Sequence, residues 1–297
     1  MTIKESLKLA KGEFEVAGIP SALLDAEVLL AHALSCDRAH VLAHCDQMLT
    51  PEQEKTYMLY VRERSARKPV AYITGRKQFY GLDFLVNKYT LIPRPETEQL
   101  VQEVIDYCGR NPHAQSIIEL GVGSGCVVLS ILKNIEHITY AFAIDRVKRA
   151  LEIAKANAQA LGLETRISFK RSDMWKQVPK EYTFDIVVAN PPYLSAKECA
   201  QARKDCPEIA YEPQIALLGG MDGLLFFESL FQRAHRHLRP GGTIFLEIGT
   251  HQKDAIETLA KKYLPKADIL FRTDECGNVR IAIITLAGKN HAVITEN

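Results

Sequence analysis

Ile117-Ile118-Glu119-Leu120-Gly121-Val122-Gly123-Ser124-Gly125 is the stretch that decides the fold. Four residues, 117–120, read as a strand, and an apolar segment that reads as a helix begins directly after Gly125. Between them stand glycines at alternate positions. Small residues let the backbone turn tightly and approach a ligand closely, and the following helix N-terminus favours negative charge. Such a loop is expected at the carboxyl end of a strand in an open α/β sheet. The plainer reading is a flexible strand-to-helix turn, but a turn of normal length has little need of three alternate glycines. The spacing also excludes a dinucleotide fingerprint, because G-x-G-x-x-G needs a sixth-position glycine and the chain has Cys126.

Outward from this loop, the pattern alternates strand and helix. It predicts strands over residues 117–120, 139–144, 167–170, 184–189, 243–248, 268–271 and 279–286. Helices are expected between the early strands and again near 224–238 and 252–263. Ile186-Val187-Val188-Ala189 has no polar alternation, as befits a parallel strand covered on both faces. The fold class is therefore α/β with a seven-stranded, mostly parallel open sheet. The direction of the last strand stays open. The N-terminal part differs, reading as a small helical bundle with no β pattern. Leu7, Ala10, Phe14 and Ala17 share one helix face, and Gly18 and Pro20 stop that helix. A second helix is expected over 21–33, and Thr50-Pro51-Glu52-Gln53 starts another that runs to about Arg67. Tyr80-Gly81-Leu82-Asp83 marks a β-hairpin turn, and Pro93-Arg94-Pro95 stiffens the approach to a helix that begins near Glu96 and ends at Gly109. The expected domains are 1–74, the helical unit; 75–95, hairpin and Pro-rich linker; 96–288, the α/β unit; and 289–297, a flexible tail.

Composition narrows the classes. The chain has 297 residues, 47% hydrophobic and 25% charged, with net charge +1, so global disorder and polybasic classes fall away. No apolar run approaches the roughly 18 residues of a membrane span, and the charged N-terminus is not a signal peptide. The seven cysteines include no C-x-x-C pair, which suits reduced thiols in the cytoplasm. His40 with His44, and His235 with His237, lack further ligands, so no metal is expected.

Other polar residues fall at the ends of predicted strands. Asp145 follows the second strand and could accept ribose hydroxyls, or serve as a helix N-cap. Asp173, after the third, suits a purine amine, with Met174 and Trp175 as an apolar floor. Asn190-Pro191-Pro192-Tyr193 follows the fourth. The Asn190 and Pro191 carbonyl oxygens could take the two hydrogens of a planar –NH2 group while the Tyr193 ring supports its plane. A simple Pro-Pro turn is the bland alternative.

G-x-G-x-G, the acid at 145 and N-P-P-Y together resemble class I S-adenosylmethionine-dependent methyltransferases acting on planar amino groups. Pro93-Arg94-Pro95-Glu96-Thr97-Glu98 resembles the P-R-P-E-T-E signature of the peptide chain release factor glutamine methyltransferases. So do Glu208-Ile209-Ala210-Tyr211-Glu212-Pro213 and the stretch from Ala216 to Leu224. The resemblance implies S-adenosylmethionine as cofactor, S-adenosylhomocysteine as product, no metal, and as substrate the glutamine of the release factors' G-G-Q tripeptide. It implies a cytoplasmic monomer that holds its protein substrate with the N-terminal domain and binds neither membrane nor, stably, nucleic acid. It places Glu119, Gly121, Val122, Gly123, Ser124, Gly125, Asp145, Asp173, Met174, Trp175 and Asn190 at the cofactor. Asn190, Pro191, Pro192 and Tyr193 fall at the substrate, with Asn190, Pro191 and Tyr193 acting in the transfer. The family often has Asp at 119 and Thr or Cys at 122. The segment 274–280 departs further, and no site role is assigned to it. Related alternatives are N5-glutamine methylation of a ribosomal protein and N6-adenine methylation of nucleic acid. The second needs a basic groove. One basic cluster exists, Arg62, Arg64, Arg67, Lys68, Arg76 and Lys77, and its ordinary reading is a solvated helix face that could also meet an acidic protein.

Overall fold

Capping starts the bundle where the sequence signals it. In the computed structural model, which describes residues 1–288, Thr2 and Glu5 form a reciprocal capping box that begins α1 (Ile3–Val16). Gly18 then turns the chain in the left-handed region at φ 67°. After α2 (Ala22–Leu34) comes α3 (Arg38–Ala43), capped by Asp37. Thr50 and Gln53 box the start of α4 (Pro51–Ser65), and α5 (Val70–Thr74) follows. α3 and α5 are too short to show periodicity, and the sequence reading lacks both. Leu7, Ala10 and Phe14 of α1 bury against Ala26, Leu29 and Leu30 of α2 and Tyr57 and Val61 of α4. Each large side chain so covered contributes about 1.5–3 kcal/mol.

This first unit comprises Met1–Arg76 together with a distant piece of chain, Arg203–Tyr211. Buried Arg64 explains the attachment. Its guanidinium meets Asp25 Oδ2 at 2.7 Å and Glu208 Oε1 at 3.0 Å, while Arg67 takes the other Glu208 oxygen at 2.9 Å. The Tyr211 hydroxyl adds a bond to the Ala66 carbonyl, 2.6 Å. The expected basic face is corrected for three of its six residues. Arg64 and Arg67 are spent on internal carboxylates and carbonyls, and Lys68 pairs with Glu63.

The second unit runs over Lys77–Ala202 and from Glu212 onward. It opens with the hairpin β1 (Arg76–Phe79) and β2 (Leu82–Leu85), joined by Tyr80 and Gly81, both at positive φ. Two such residues match the right-handed twist of the flanking strands. α6 (Thr97–Arg110) does not stop at Gly109. That glycine is helical, its Cβ position is open, and the chain turns at Asn111 instead. Then follow β3 (Ser116–Leu120), α7 (Cys126–Asn134), β4 (Tyr140–Asp145), α8 (Lys148–Ala160), β5 (Ile167–Arg171), β6 (Phe184–Ala189), α9 (Ala196–Asp205), α10 (Leu225–His237), β7 (Leu238–Glu247), α11 (Lys253–Tyr263), β8 (Asp268–Thr273) and β9 (Val279–Thr285).

These seven later strands form one sheet in the order β5-β4-β3-β6-β7-β9-β8. Pairing is parallel except at β9, which is antiparallel to both neighbours. Ile186 and Val188 enter the core on one face of the sheet, and Val187 and Ala189 enter the core on the other. β3 lies between β4 and β6, so chain order reverses there. Loops leaving β3 and β6 diverge to opposite faces and open a crevice at the carboxyl edge. The expected flexible tail, 289–297, lies outside the described residues. Among those described, no helix is long and apolar enough to cross a membrane.

Candidate active site

The crevice is a cavity of about 400 Å³ lined wholly from the second unit. Its first wall is the loop after β3. Gly121 and Gly123 sit at φ 79° and 54°, and a Cβ on either would meet no protein atom within 4 Å. The space beside that backbone is therefore free for a ligand. Gly125 does another job: its Cβ would come within 2.9 Å of Leu129, so it lets the loop close onto α7 and does not line the cavity. Gly121 and Val122 donate to the Ile144 carbonyl, and Gly123 donates to Asp145 Oδ2 at 3.0 Å. Asp145 Oδ1 accepts from Val147, 2.8 Å, so the carboxylate both caps its own turn and braces the glycine loop. Its remaining lone pairs are available to the cavity. Burial raises its pKa against the pull of these amides. Glu119, also lining, accepts from the Val128 amide in the first turn of α7, 3.1 Å. Burial pushes it well above the ordinary carboxylate range, helped by nearby Asp145.

Ser172, Asp173 and Met174 form the next wall. Lys176 pairs with Asp173 at 2.6 Å and lowers its pKa. Trp175 is not in the lining. It is 2% exposed, stacks on His237 at 4.7 Å, and donates to the Leu230 carbonyl. The apolar floor expected from Met174 and Trp175 falls to Met174 alone, because the turn that aims Met174 at the cavity sends its neighbour into the core.

The loop after β6 supplies Asn190 and Pro192 to the lining; Pro191 is buried behind them. Asn190 Nδ2 donates to Thr97 Oγ1 (2.9 Å), and Thr97 donates to Glu247 Oε2 (2.6 Å). The Tyr193 hydroxyl donates to the other Glu247 oxygen at 3.2 Å, so its ring packs toward the core rather than the cavity, and burial raises its pKa. Two glycines press on this turn. A Cβ at Gly219 would lie 2.5 Å from the Pro192 carbonyl oxygen, and one at Gly223 would lie 2.3 Å from that of Tyr193. Only glycine permits the Leu218–Leu224 segment to lie there.

The PrmC N-terminal domain family matches residues 5–75, and the methyltransferase small domain family matches residues 97–204. A protein of Koribacter versatilis named release factor glutamine methyltransferase is 34% identical, over 89% of this chain and 92% of its own. The chain belongs to the release factor glutamine methyltransferase family. Members from Cereibacter sphaeroides and Leptospira interrogans carry the same name, at 36% and 40% identity over 88% and 77% of this chain and 90% and 79% of theirs. Among solved structures, the hMettl16 catalytic domain in complex with MAT2A 3'UTR hairpin 6 shares the fold at 14% identity and TM-score 0.56, covering 71% of this chain and 77% of that one.

Two signature segments of this release factor glutamine methyltransferase family member meet at Glu212. Nearly fully buried, it accepts from the Ile92 amide at 3.1 Å and from the Arg94 guanidinium. The stiff Pro93-Arg94-Pro95 stretch is thereby pinned, and Tyr89, Thr90 and Arg94 become cavity lining. Asn157 of α8 does the same for the hairpin, bonding Leu85 through both N–H and C=O and also the Ser124 carbonyl of the glycine loop. Sequence reasoning missed these roles, and those of Thr97 and Glu247. Thr97 and Glu212 lay inside quoted signatures, whereas Glu247 had no local mark beyond being an acid at a strand end. Segment 274–280 is not inert either: Arg280 of β9 bonds Asp274 and lies close enough to Glu247 to favour its ionised form.

Proposed function

We propose that this chain transfers a methyl group from S-adenosylmethionine to the side-chain nitrogen of the G-G-Q glutamine of release factors, in the cytoplasm. The observation that carries this reading is the state of Asn190. Its amide nitrogen is committed to Thr97, so its Oδ1 is the end left to accept from a ligand. That oxygen belongs to the loop after β6, across the sheet's switch point from the glycine loop.

The residues fit the cofactor. Open space lies beside Gly121 and Gly123, and an acid with spare lone pairs closes β4. Gly121 to Ser124 would border the bound molecule, Asp145 would hold its ribose hydroxyls, and Asp173 and Met174 its base. S-adenosylmethionine supplies a methyl group activated by a positively charged sulfur. The chain's own work is on the other reactant. An amide nitrogen is a poor nucleophile because its lone pair is shared with its carbonyl. Asn190 Oδ1, which lines the cavity, accepts an N–H hydrogen of that group and holds the –NH2 plane. It also spreads the positive charge that grows on that hydrogen as the N–C bond forms. One N–H proton then leaves to water, which leaves the product amide neutral. Holding the nitrogen in line removes a further entropic cost.

The test is methylation of a co-expressed release factor, read by mass spectrometry of the G-G-Q peptide. Asn190→Ala should lower transfer about 100- to 1000-fold, the cost of removing one preorganised partner of transition-state charge, with cofactor binding kept. Near-normal turnover by that variant, or label from the cofactor in nucleic acid but not protein, refutes the reading.

A further inference from the structure

Asn190 reaches Thr97 through the nitrogen end of its amide, and Thr97 reaches Glu247 through its hydroxyl. A hydroxyl has one proton to give. An ionised carboxylate has none, so Glu247 accepts the hydrogen bond from the Thr97 hydroxyl, and the Thr97 oxygen has only lone pairs left for Asn190. Lone pairs require a donor opposite them. The –NH2 end of Asn190 is therefore held inward, and the carbonyl end is left for a ligand. Turned the other way, Oδ1 would face an acceptor, and Thr97 and Asn190 would lose their bond.

We propose that Thr97 and Glu247 are positioning residues for methyl transfer, fixing which end of the Asn190 amide faces the substrate. The inference rests on the reading of Asn190 as acceptor for the glutamine –NH2. It extends that role to residues 93 positions before and 57 after Asn190. Thr97 is 1% exposed and Glu247 2%, so water does not compete for these bonds.

The relay has a polarity, and a proton on Glu247 reverses it. A neutral Glu247 can donate to Thr97, Thr97 can then donate to Asn190 Oδ1, and the amide turns its –NH2 toward the cavity. The groups that face Glu247 are Thr97 and Glu96 at the start of α6, Tyr193 after β6, Arg280 on β9, and the Cys126 thiol of α7. Arg280 and the two hydroxyls favour the ionised form; burial and Glu96 oppose it, and burial wins, raising the pKa. Turnover should thus fail on acidification above the range of an ordinary glutamate.

The experiment is steady-state kinetics of the full chain on release factor, with S-adenosylhomocysteine affinity measured by calorimetry. Thr97→Val keeps the shape and removes the hydroxyl. It should lower kcat about 10- to 100-fold, the worth of one hydrogen bond to a charged partner. KM for the protein and the cofactor-product Kd should stay within about twofold, since binding is not what the relay supplies. Thr97→Ser should recover most of the loss. Wild-type kcat, at saturating cofactor, should show a one-proton acid limb that Glu247→Gln lacks. A kcat for Thr97→Val within about twofold of wild type, or equal losses in Val and Ser, overturns the proposal. So does a cofactor Kd that weakens in step with kcat. Should Thr97→Val fail to fold, a wild-type kcat that is flat down to the ordinary glutamate range overturns it. The two readings fail separately. An active Asn190→Ala removes the acceptor reading and this one with it, whereas an inactive Asn190→Ala beside an unaffected Thr97→Val removes only this one.

Discussion

Asp145→Asn separates a ligand-binding carboxylate from a mere turn cap. Asp145 accepts from Gly123 at 3.0 Å through one oxygen and from Val147 at 2.8 Å through the other. Asparagine can keep only one of these. Its –NH2 end must face an N–H donor, so one bond to a charged acceptor is lost, about 1.5–3 kcal/mol. Against that, the neutral side chain no longer suffers the burial that raises the Asp145 pKa. The two effects oppose each other in the free protein, so the net loss should be smaller than that of the one bond, a Tm shift of about a few degrees. Cofactor affinity has no such offset. Loss of a charged acceptor for ribose hydroxyls should weaken S-adenosylhomocysteine about 10- to 100-fold by calorimetry. The sign with pH follows. On the proposed role, ribose hydroxyls would donate to the ionised form, so wild-type affinity should fall as pH drops through the raised pKa of Asp145, and the Asn variant should be flat. A variant that loses several degrees of Tm yet binds S-adenosylhomocysteine like wild type would make Asp145 a cap only and refute the reasoning.

Three further predictions follow from packing and charge. Gly125→Ala combines a left-handed φ of 84° with a Cβ 2.9 Å from Leu129, and should cost about 2–5 kcal/mol in denaturant unfolding; unchanged stability refutes the packing role. Arg64→Met leaves Asp25 without its cation and Glu208 with Arg67 alone. It should destabilise by about 3–5 kcal/mol and make 203–211 more sensitive to protease, and a digestion pattern like wild type would count against the clamp. Glu208 has a lowered folded pKa, through its bonds to Arg67 and Arg64 that outweigh burial. Its contribution is therefore present above the unfolded carboxylate pKa and lost as pH falls through the folded one. The stability gap between wild type and Glu208→Gln should close on acidification; a gap that is constant with pH contradicts this.

The sequence by itself determined whatever is carried by neighbours in the chain. The strand, glycine loop and helix at 116–134 are legible because conformational freedom at Gly121 and Gly123 is a property of those residues. The capping box at Thr50 and the Tyr80-Gly81 turn are legible for the same reason. A run of apolar residues likewise announces a strand covered on both faces. Tertiary structure alone decided what depends on distant partners. It turned β9 antiparallel, placed Trp175 in the core while Met174 lines the cavity, and spent Arg64 and Arg67 on carboxylates instead of a solvated face. It also joined Thr97, Asn190, Tyr193 and Glu247 into one hydrogen-bonded relay. No local pattern encodes such a relay. A hydrogen bond is decided by geometry over about 3 Å, and only the closing of β3, β6 and β7 into one sheet brings these strand ends and the start of α6 within that reach.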